Sequence, residues 1–213
     1  NKRDSKYFDL YKMEVGEWKS NLIYENNNNM SVSSISDNEE FLLLSNSITT
    51  SENEFYLLEI ASGNLKEISN APGSYSSAGF SNDNKSFYYI TDVNKEFAYL
   101  MQYEIASGEA SVLFETNWDV MYSYLSKSEK YRVIGINKDG KNTLKVYNEM
   151  ENREIEFPSF EDGNIIGLEF SETENKMRLS VGSSKMPNNL YVYDLNDKSL
   201  VKLTNSLNPN IDS

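Results

Sequence analysis

The sequence predicts an all-β protein, a β-propeller built of four-stranded antiparallel blades, and three observations carry that prediction. A bulky apolar residue followed by Ser recurs every 45 residues, as Ile35-Ser36, Phe80-Ser81, Leu125-Ser126 and Phe170-Ser171. Glu59, Glu104, Glu149 and Asp194 keep the same interval, each before Ile60, Ile105, Met150 or Leu195, and Glu-Ile-Ala-Ser-Gly occurs verbatim at 59–63 and 104–108. Helical periodicity is nearly absent: apolar segments such as Leu190-Tyr191-Val192-Tyr193 and Tyr131-Arg132-Val133-Ile134 read at period two. A repeat of about 40–50 residues with four strands per unit marks a propeller blade.

The chain divides accordingly. Residues 1–26 read as a half blade, with Tyr7–Val15 as a third strand, a turn at Gly16-Glu17, and Trp18–Tyr24 as a fourth. Asn26-Asn27-Asn28-Asn29 reads as a solvated polar connector. Complete blades are expected at 30–71, 75–117, 118–160 and 164–204. In the first, strands fall at Ser31–Ile35, Phe41–Ser47, Glu54–Ile60 and Asn64–Ile68, with a long hairpin loop rich in Ser, Thr and Asn. Pro72-Gly73 turns into the second. In the third, Asp139-Gly140 is a strong hairpin signal. The register of its later half is open: Asn148 matches Asp194 by local pattern, Glu149 by strict period. The fourth carries Ile165–Phe170, Met177–Val181, Leu190–Leu195 and Leu200–Leu203. Residues 205–213 read as a linker leaving the last strand, toward a further C-terminal domain. Four complete blades plus a half, with no evident donor to complete the half blade, read as a fragment of a larger propeller.

Composition narrows the function classes. A formal charge of −13, from 33 acidic and 20 basic residues, argues against nucleic acid and against an anionic membrane surface. No apolar run reaches the length of a membrane span, and Asn1-Lys2-Arg3-Asp4 does not lead into a signal core. Without Cys there is neither disulfide nor thiolate. The expected compartment is therefore cytoplasmic, or periplasmic or extracellular if a signal lies upstream. Without His, neither a Ser-His-Asp nor a Cys-His site can be assembled from this chain, and the common His-based zinc sites are excluded. No Gly-x-Ser-x-Gly elbow and no Gly-rich phosphate loop occurs. No catalytic residue, metal or cofactor is expected.

The opening strand of each unit is rich in small residues: Ser31, Ser33 and Ser34; Ser76, Ser77, Ala78 and Gly79; Ser123; Gly167. Such strands suit the crowded axis of a propeller, and the aromatics on second and third strands suit blade-to-blade stacking. The repeated Ser is expected to cap the turn between strands one and two, and the repeated acid to accept hydrogen bonds from the turn after strand three. Those acids sit at repeated turn positions, not convergent ones, which argues against a carboxylate-pair glycosidase. For ligand contacts near the axis the candidates are Tyr75, Tyr122, Tyr124 and Glu169, with blade packing the competing role for the tyrosines and solvation for the glutamate.

The repeat resembles the propeller blades of the prolyl oligopeptidase family of serine peptidases, especially its acylaminoacyl-peptidase-like branch, and is similar to the propeller of the bacterial Tol system. Their blades read aromatic-Ser-Pro-Asp-Gly-Lys, an apolar strand, then Leu-Tyr-x-x-Asp-x-x-Ser-Gly and x-Leu-Thr. Here Phe80-Ser81-Asn82-Asp83-Asn84-Lys85, Leu190-Tyr191-Val192-Tyr193-Asp194-Leu195, Leu203-Thr204, Leu10-Tyr11 and Gly16 match. No unit carries the Pro, and the motif's Gly is replaced by Glu39, Asn84, Glu129 or Asn175. Asn208-Pro209-Asn210-Ile211 resembles the connector that precedes the hydrolase domain. The resemblance implies a non-catalytic propeller that caps a separate α/β-hydrolase domain and restricts entry to short peptides, so that its partners are a peptide substrate and that domain. The alternative is a stand-alone interaction propeller, Tol-like or a surface sensor.

Overall fold

In the computed structural model, which describes residues 3, 5–161 and 163–206, the described residues form strands and turns with no helix. A two-stranded sheet pairs β1 (Leu10–Met13) with β2 (Ser20–Tyr24). Four four-stranded antiparallel sheets follow, each with its strands in chain order. Blade one is β3 (Ser31–Ile35), β4 (Phe41–Ser47), β5 (Asn53–Glu59) and β6 (Asn64–Glu67). Blade two is β7 (Tyr75–Phe80), β8 (Ser86–Thr91), β9 (Tyr99–Glu104) and β10 (Ala110–Phe114). Blade three is β11 (Asp119–Leu125), β12 (Tyr131–Lys138), β13 (Lys141–Asn148) and β14 (Arg153–Glu154). Blade four is β15 (Asn164–Phe170), β16 (Lys176–Gly182), β17 (Asn189–Asp194) and β18 (Leu200–Lys202). This is the predicted plan of blades, and the sheet order within each is the one successive hairpins impose. The expected linker at 205–213 lies, from residue 207 on, outside the described residues.

The chain forms two units, 1–116 and 117–213. In the first, blades one and two bury Leu43, Phe55 and Leu57 against Phe87, Tyr89 and Tyr103. Leu42, Leu44 and Leu58, on the other face of blade one, pack on Leu10, Ile23 and Tyr24 of the half blade. In the second unit, Tyr131, Val133 and Val146 meet Met177, Leu179 and Val181. Period-two alternation is the cause: successive side chains of β4, β8, β12 and β16 point to opposite faces, and blade one, between the half blade and blade two, is buried on both.

The turn between strands one and two is the same object four times. Ser36, Ser81, Ser126 and Ser171 each accept at Oγ the N–H of the residue five ahead, at 2.9, 3.0, 3.0 and 3.2 Å. Three residues after each Ser the backbone turns left-handed, at Glu39 (φ 58), Asn84 (φ 57), Glu129 (φ 61) and Glu174 (φ 53). The residue in the motif's Gly position in blade four is thus Glu174, not Asn175. These residues accept a conformation that favours Gly, and their side chains show why. Glu39 pairs with Lys12 of the half blade. Asn84 Oδ1 accepts the N–H of Asn38 in blade one at 3.3 Å. Glu174, 7% exposed, accepts from Ser128 in blade three through both N–H (2.6 Å) and Oγ (2.5 Å). A glycine at 39, 84 or 174 would relax the turn and remove that tie to the neighbouring sheet.

Register in blade three is settled by its partners. Phe41, Ser86, Tyr131 and Lys176 open the second strands and pair with Glu59, Glu104, Asn148 and Asp194. Asn148 therefore takes the repeated position, and its Oδ1 accepts the turn N–H groups of Met150 (3.1 Å) and Glu151 (3.2 Å), as Asp194 Oδ1 accepts that of Asn196 (2.9 Å). The longer Glu59 and Glu104 reach hydroxyls instead, of Ser62 (2.6 Å) and Ser86 (2.7 Å). The tight Asp139-Gly140 hairpin is one residue shorter than strict period requires. Glu149 thereby falls where Ile60, Ile105 and Leu195 stand, since all four donate N–H to the residue before strand two. Opposite it, Arg132 occupies the place of Leu42, Phe87 and Met177. Arg132 is 2% exposed, and its Nε lies 3.2 Å from Glu149 Oε1, whose side chain is 33% exposed. Blade three thus holds an ion pair where the other three hold an apolar pair.

The Asn26 connector is also more than a solvated loop. Asn26 is fully buried: its Nδ2 donates to Phe8 O (2.9 Å) and Met30 O (2.7 Å), and its Oδ1 accepts Met30 N–H (2.9 Å). It satisfies backbone groups that the half blade leaves without a ladder.

Candidate functional site

The candidate ligand contacts sit on the first strand of their blades, and each of these strands carries an irregularity. Pairing to the second strand slips between Val32 and Ser34, Ser77 and Phe80, Val120 and Tyr122, and Ile165 and Gly167. A bulge bends the strand and re-aims the side chains beside it. At the slipped positions Met121 and Ile166 are 43% and 47% exposed. Bulges leave no mark in the alternation of these short, Ser- and Gly-rich strands, so the sequence does not show them.

Neighbouring first strands within a unit are pinned by side chains. In the first unit Ser34 Oγ and Ser77 Oγ share a hydrogen bond of 2.8 Å. In the second, Tyr124 OH donates to Leu168 O. A second set of clamps comes from the start of strand three. Asn53 Oδ1 accepts Tyr75 N–H (2.8 Å) and its Nδ2 donates to Tyr75 O (3.0 Å). Asn142, at the same place in blade three, donates to Ile165 O at 3.1 Å. Sequence reading missed these asparagines; their shared offset from the repeated acid position was the available signal, hidden by the one-residue deletion.

Tyr75 is core, not open surface. Its ring stacks at 6.3 Å on Phe55 and 6.1 Å on Tyr89, and its hydroxyl donates to Ala71 O at 2.9 Å. Tyr122, Tyr124 and Glu169 do come together in the second unit. The two tyrosine rings stack at 6.3 Å. Tyr122 lies over Gly135, where a Cβ would collide with its ring, and its hydroxyl accepts from Asn142 Nδ2 at 3.1 Å. Burial pushes the Tyr124 phenol well above its ordinary range. Glu169 is exposed and forms a two-point pair with Arg178, at 2.6 and 3.2 Å. The hydrogen bond and charge of Arg178 hold its carboxyl below the usual carboxylate range. This arrangement sets two stacked, half-buried tyrosines near a neutralised ion pair, and among the described residues it pairs no nucleophile with a base. Among the described residues no group of three His, Cys, Asp or Glu could hold a metal.

These sheets define a β-propeller domain. The profile of the prolyl oligopeptidase N-terminal β-propeller domain matches residues 1–206, and the chain belongs to that family. No curated protein sequence matches it. Among solved structures, a prolyl endopeptidase superposes with a TM-score of 0.72 at 14% identity, over 95% of this chain and 31% of that one. A puromycin-hydrolyzing peptidase of Mycobacterium tuberculosis gives 0.65 at 11%, over 93% and 32%. TolB of Acinetobacter baumannii gives 0.61 at 14%, over 93% and 49%. The chain spans about half the length of that TolB and about a third of each peptidase. At these identities the likeness is one of fold.

Proposed function

We propose that this chain is the non-catalytic propeller part of a serine peptidase of the prolyl oligopeptidase family, and that it restricts peptide access to a separate α/β-hydrolase domain of the same protein. The observation that carries the reading is the family match over residues 1–206 in a chain that contains no His, so that the reactive groups must be supplied elsewhere. The propeller's contribution is steric: pinned first strands and clamped blades form a stiff wall, and stiffness is what lets a passage select by size. Its partners on this reading are the hydrolase domain and a short peptide.

The test joins genetics to kinetics. The full reading frame should encode a Gly-x-Ser-x-Gly motif followed by Asp and His downstream. The purified propeller should show no peptide turnover, and the full protein should cleave short peptides while sparing folded proteins. A stop codon soon after Ser213 beside an upstream secretory signal would instead make this a stand-alone, Tol-like binding propeller. Turnover by the propeller alone, surviving a contaminant control, would overturn both readings.

A further inference from the structure

Blade three departs from the other blades at its outer edge. Phe55, Leu100, Leu144 and Leu190 occupy one place in the repeat, opposite Ser45, Ile90, Gly135 and Ser180. On the outer side, Phe55 O accepts from Ile68 N (2.7 Å) and Phe55 N donates to Ser69 Oγ (3.1 Å). Leu190 is covered likewise, by Leu203 N (2.8 Å) and Thr204 Oγ1 (2.8 Å). Leu100 pairs with Phe114. Leu144 has no such cover among the described residues. β14 pairs only with Tyr147 and Asn148, and its ladder ends where Ile155 N donates to Val146 O at 2.7 Å. The following connector then leaves the edge bare. A strand edge with free N–H and C=O groups is a template for another strand.

Beside this edge lies a groove of about 790 Å³. Its lining includes Leu144 on the strand, Glu154 at the end of β14, Glu156, Phe157 and Phe160 on the connector, and Ile165 of the next strand. Leu144, Phe157 and Phe160 pack on the hydrophobic cluster of this unit, so part of the lining is apolar. Two carboxylates and no Lys or Arg line it. Lys145 Nζ, 2.6 Å away, already neutralises Glu154, whereas the exposed Glu156 makes no ion pair among the described residues.

We propose that the groove binds an extended, basic segment of another polypeptide, which adds to β13 as an outer strand at Leu144. Main-chain bonds at Leu144 supply affinity, and alternation divides the guest's side chains between the apolar lining and Glu156. The bare stretch 141–145 spans about 17 Å at about 3.4 Å per residue, room for five or six guest residues. The formal charge of −13 favours the encounter. None of this depends on the peptidase reading.

The probe is the peptide acetyl-Val-Lys-Val-Lys-Val-Lys-amide, titrated into the chain by calorimetry and by amide chemical-shift mapping. We expect saturable one-to-one binding, with shifts centred on residues 142–147 and 154–160. N-methylation of alternate peptide amides should weaken binding about ten-fold in one register and little in the other, as loss of strand hydrogen bonds demands. Glu156→Gln should weaken it about three- to five-fold, and the Val-Glu analogue should not bind. Equal weakening in both methylated registers, or in neither, would reduce the contact to surface adsorption and overturn the proposal. So would no binding at about 1 mM peptide, or self-association of the chain that shifts the same amides, which would make a second copy the occupant.

Discussion

Blades two and three run the same ladder with opposite chemistry. In blade two the second residue of the second strand is Phe87, fully buried, with Ile105 packed beside it. In blade three the same two places hold Arg132 and Glu149. The two members differ in what they need: a buried guanidinium at 2% exposure that loses its carboxylate carries a desolvation cost of several kcal/mol, whereas the Glu149 side chain, 33% exposed, is reached by water. The backbone repeat therefore fixes where two side chains meet, not what they are, provided that both change together. Blade three also lost one hairpin residue, and that deletion is what brings Glu149 to the position.

The comparison can be broken most forcefully in blade two. Phe87→Ala should lower unfolding free energy by about 3–5 kcal/mol, the cost of a large cavity in a packed aromatic cluster, read by urea denaturation. The ion pair should respond asymmetrically. Glu149→Leu takes the carboxylate from a buried cation and should cost about 3–5 kcal/mol, whereas Arg132→Met leaves a carboxylate that water already reaches and should cost less. The double substitution to Met and Leu should restore or exceed the starting stability; a double mutant as weak as Glu149→Leu would refute the equivalence drawn here. Next in size, Gly135→Ala should cost about 1–3 kcal/mol, because the new methyl meets the Tyr122 ring, while the corresponding Ser180→Ala in blade four should be nearly neutral.

The smallest expected effect separates a charged cap from a neutral one. Burial pushes the Glu174 carboxyl up, but the hydrogen bonds from Ser128 outweigh it and hold the group below its ordinary value. A depressed carboxylate contributes stability that is present above its unfolded value and lost as pH falls through the folded one. The stability of the second unit should therefore fall on acidification, with a component that Glu174→Gln removes. Asn84→Asp should introduce the like component in the first unit, where the wild-type cap does not titrate. An unchanged acid limb in Glu174→Gln would assign that component to other carboxylates.

How much of this was legible differs by residue. The four serines were readable, because a turn needs a short hydroxyl at one fixed place and the period exposes it. The left-handed positions were readable as departures from Gly, but in blade four the reading at Asn175 was off by one: the spacing of three from the repeated Ser already pointed to Glu174, and the backbone agrees. Asn53 and Asn142 share an offset of six from the repeated acid position that the shorter hairpin of blade three concealed, and Asn26 was not readable, because an asparagine in a polar connector looks the same whether it is solvated or buried. Of the four candidate contacts, Tyr75 is consumed by packing, and only Tyr122, Tyr124 and Glu169 meet.

The amino-acid order by itself determined the repeat, its strands and its turns, because these rest on contacts between residues close in the chain and on alternation within each strand. Tertiary structure alone decided which repeated positions exchange apolar for ionic partners, which side chains reach across to the neighbouring blade, and where a strand edge is left bare. Those outcomes depend on residues well separated in the chain arriving at the same place, 17 positions apart for Arg132 and Glu149 and 44 or 46 for the ties of Tyr124 and Ser128 to the next blade, and a local pattern carries no record of what it will face.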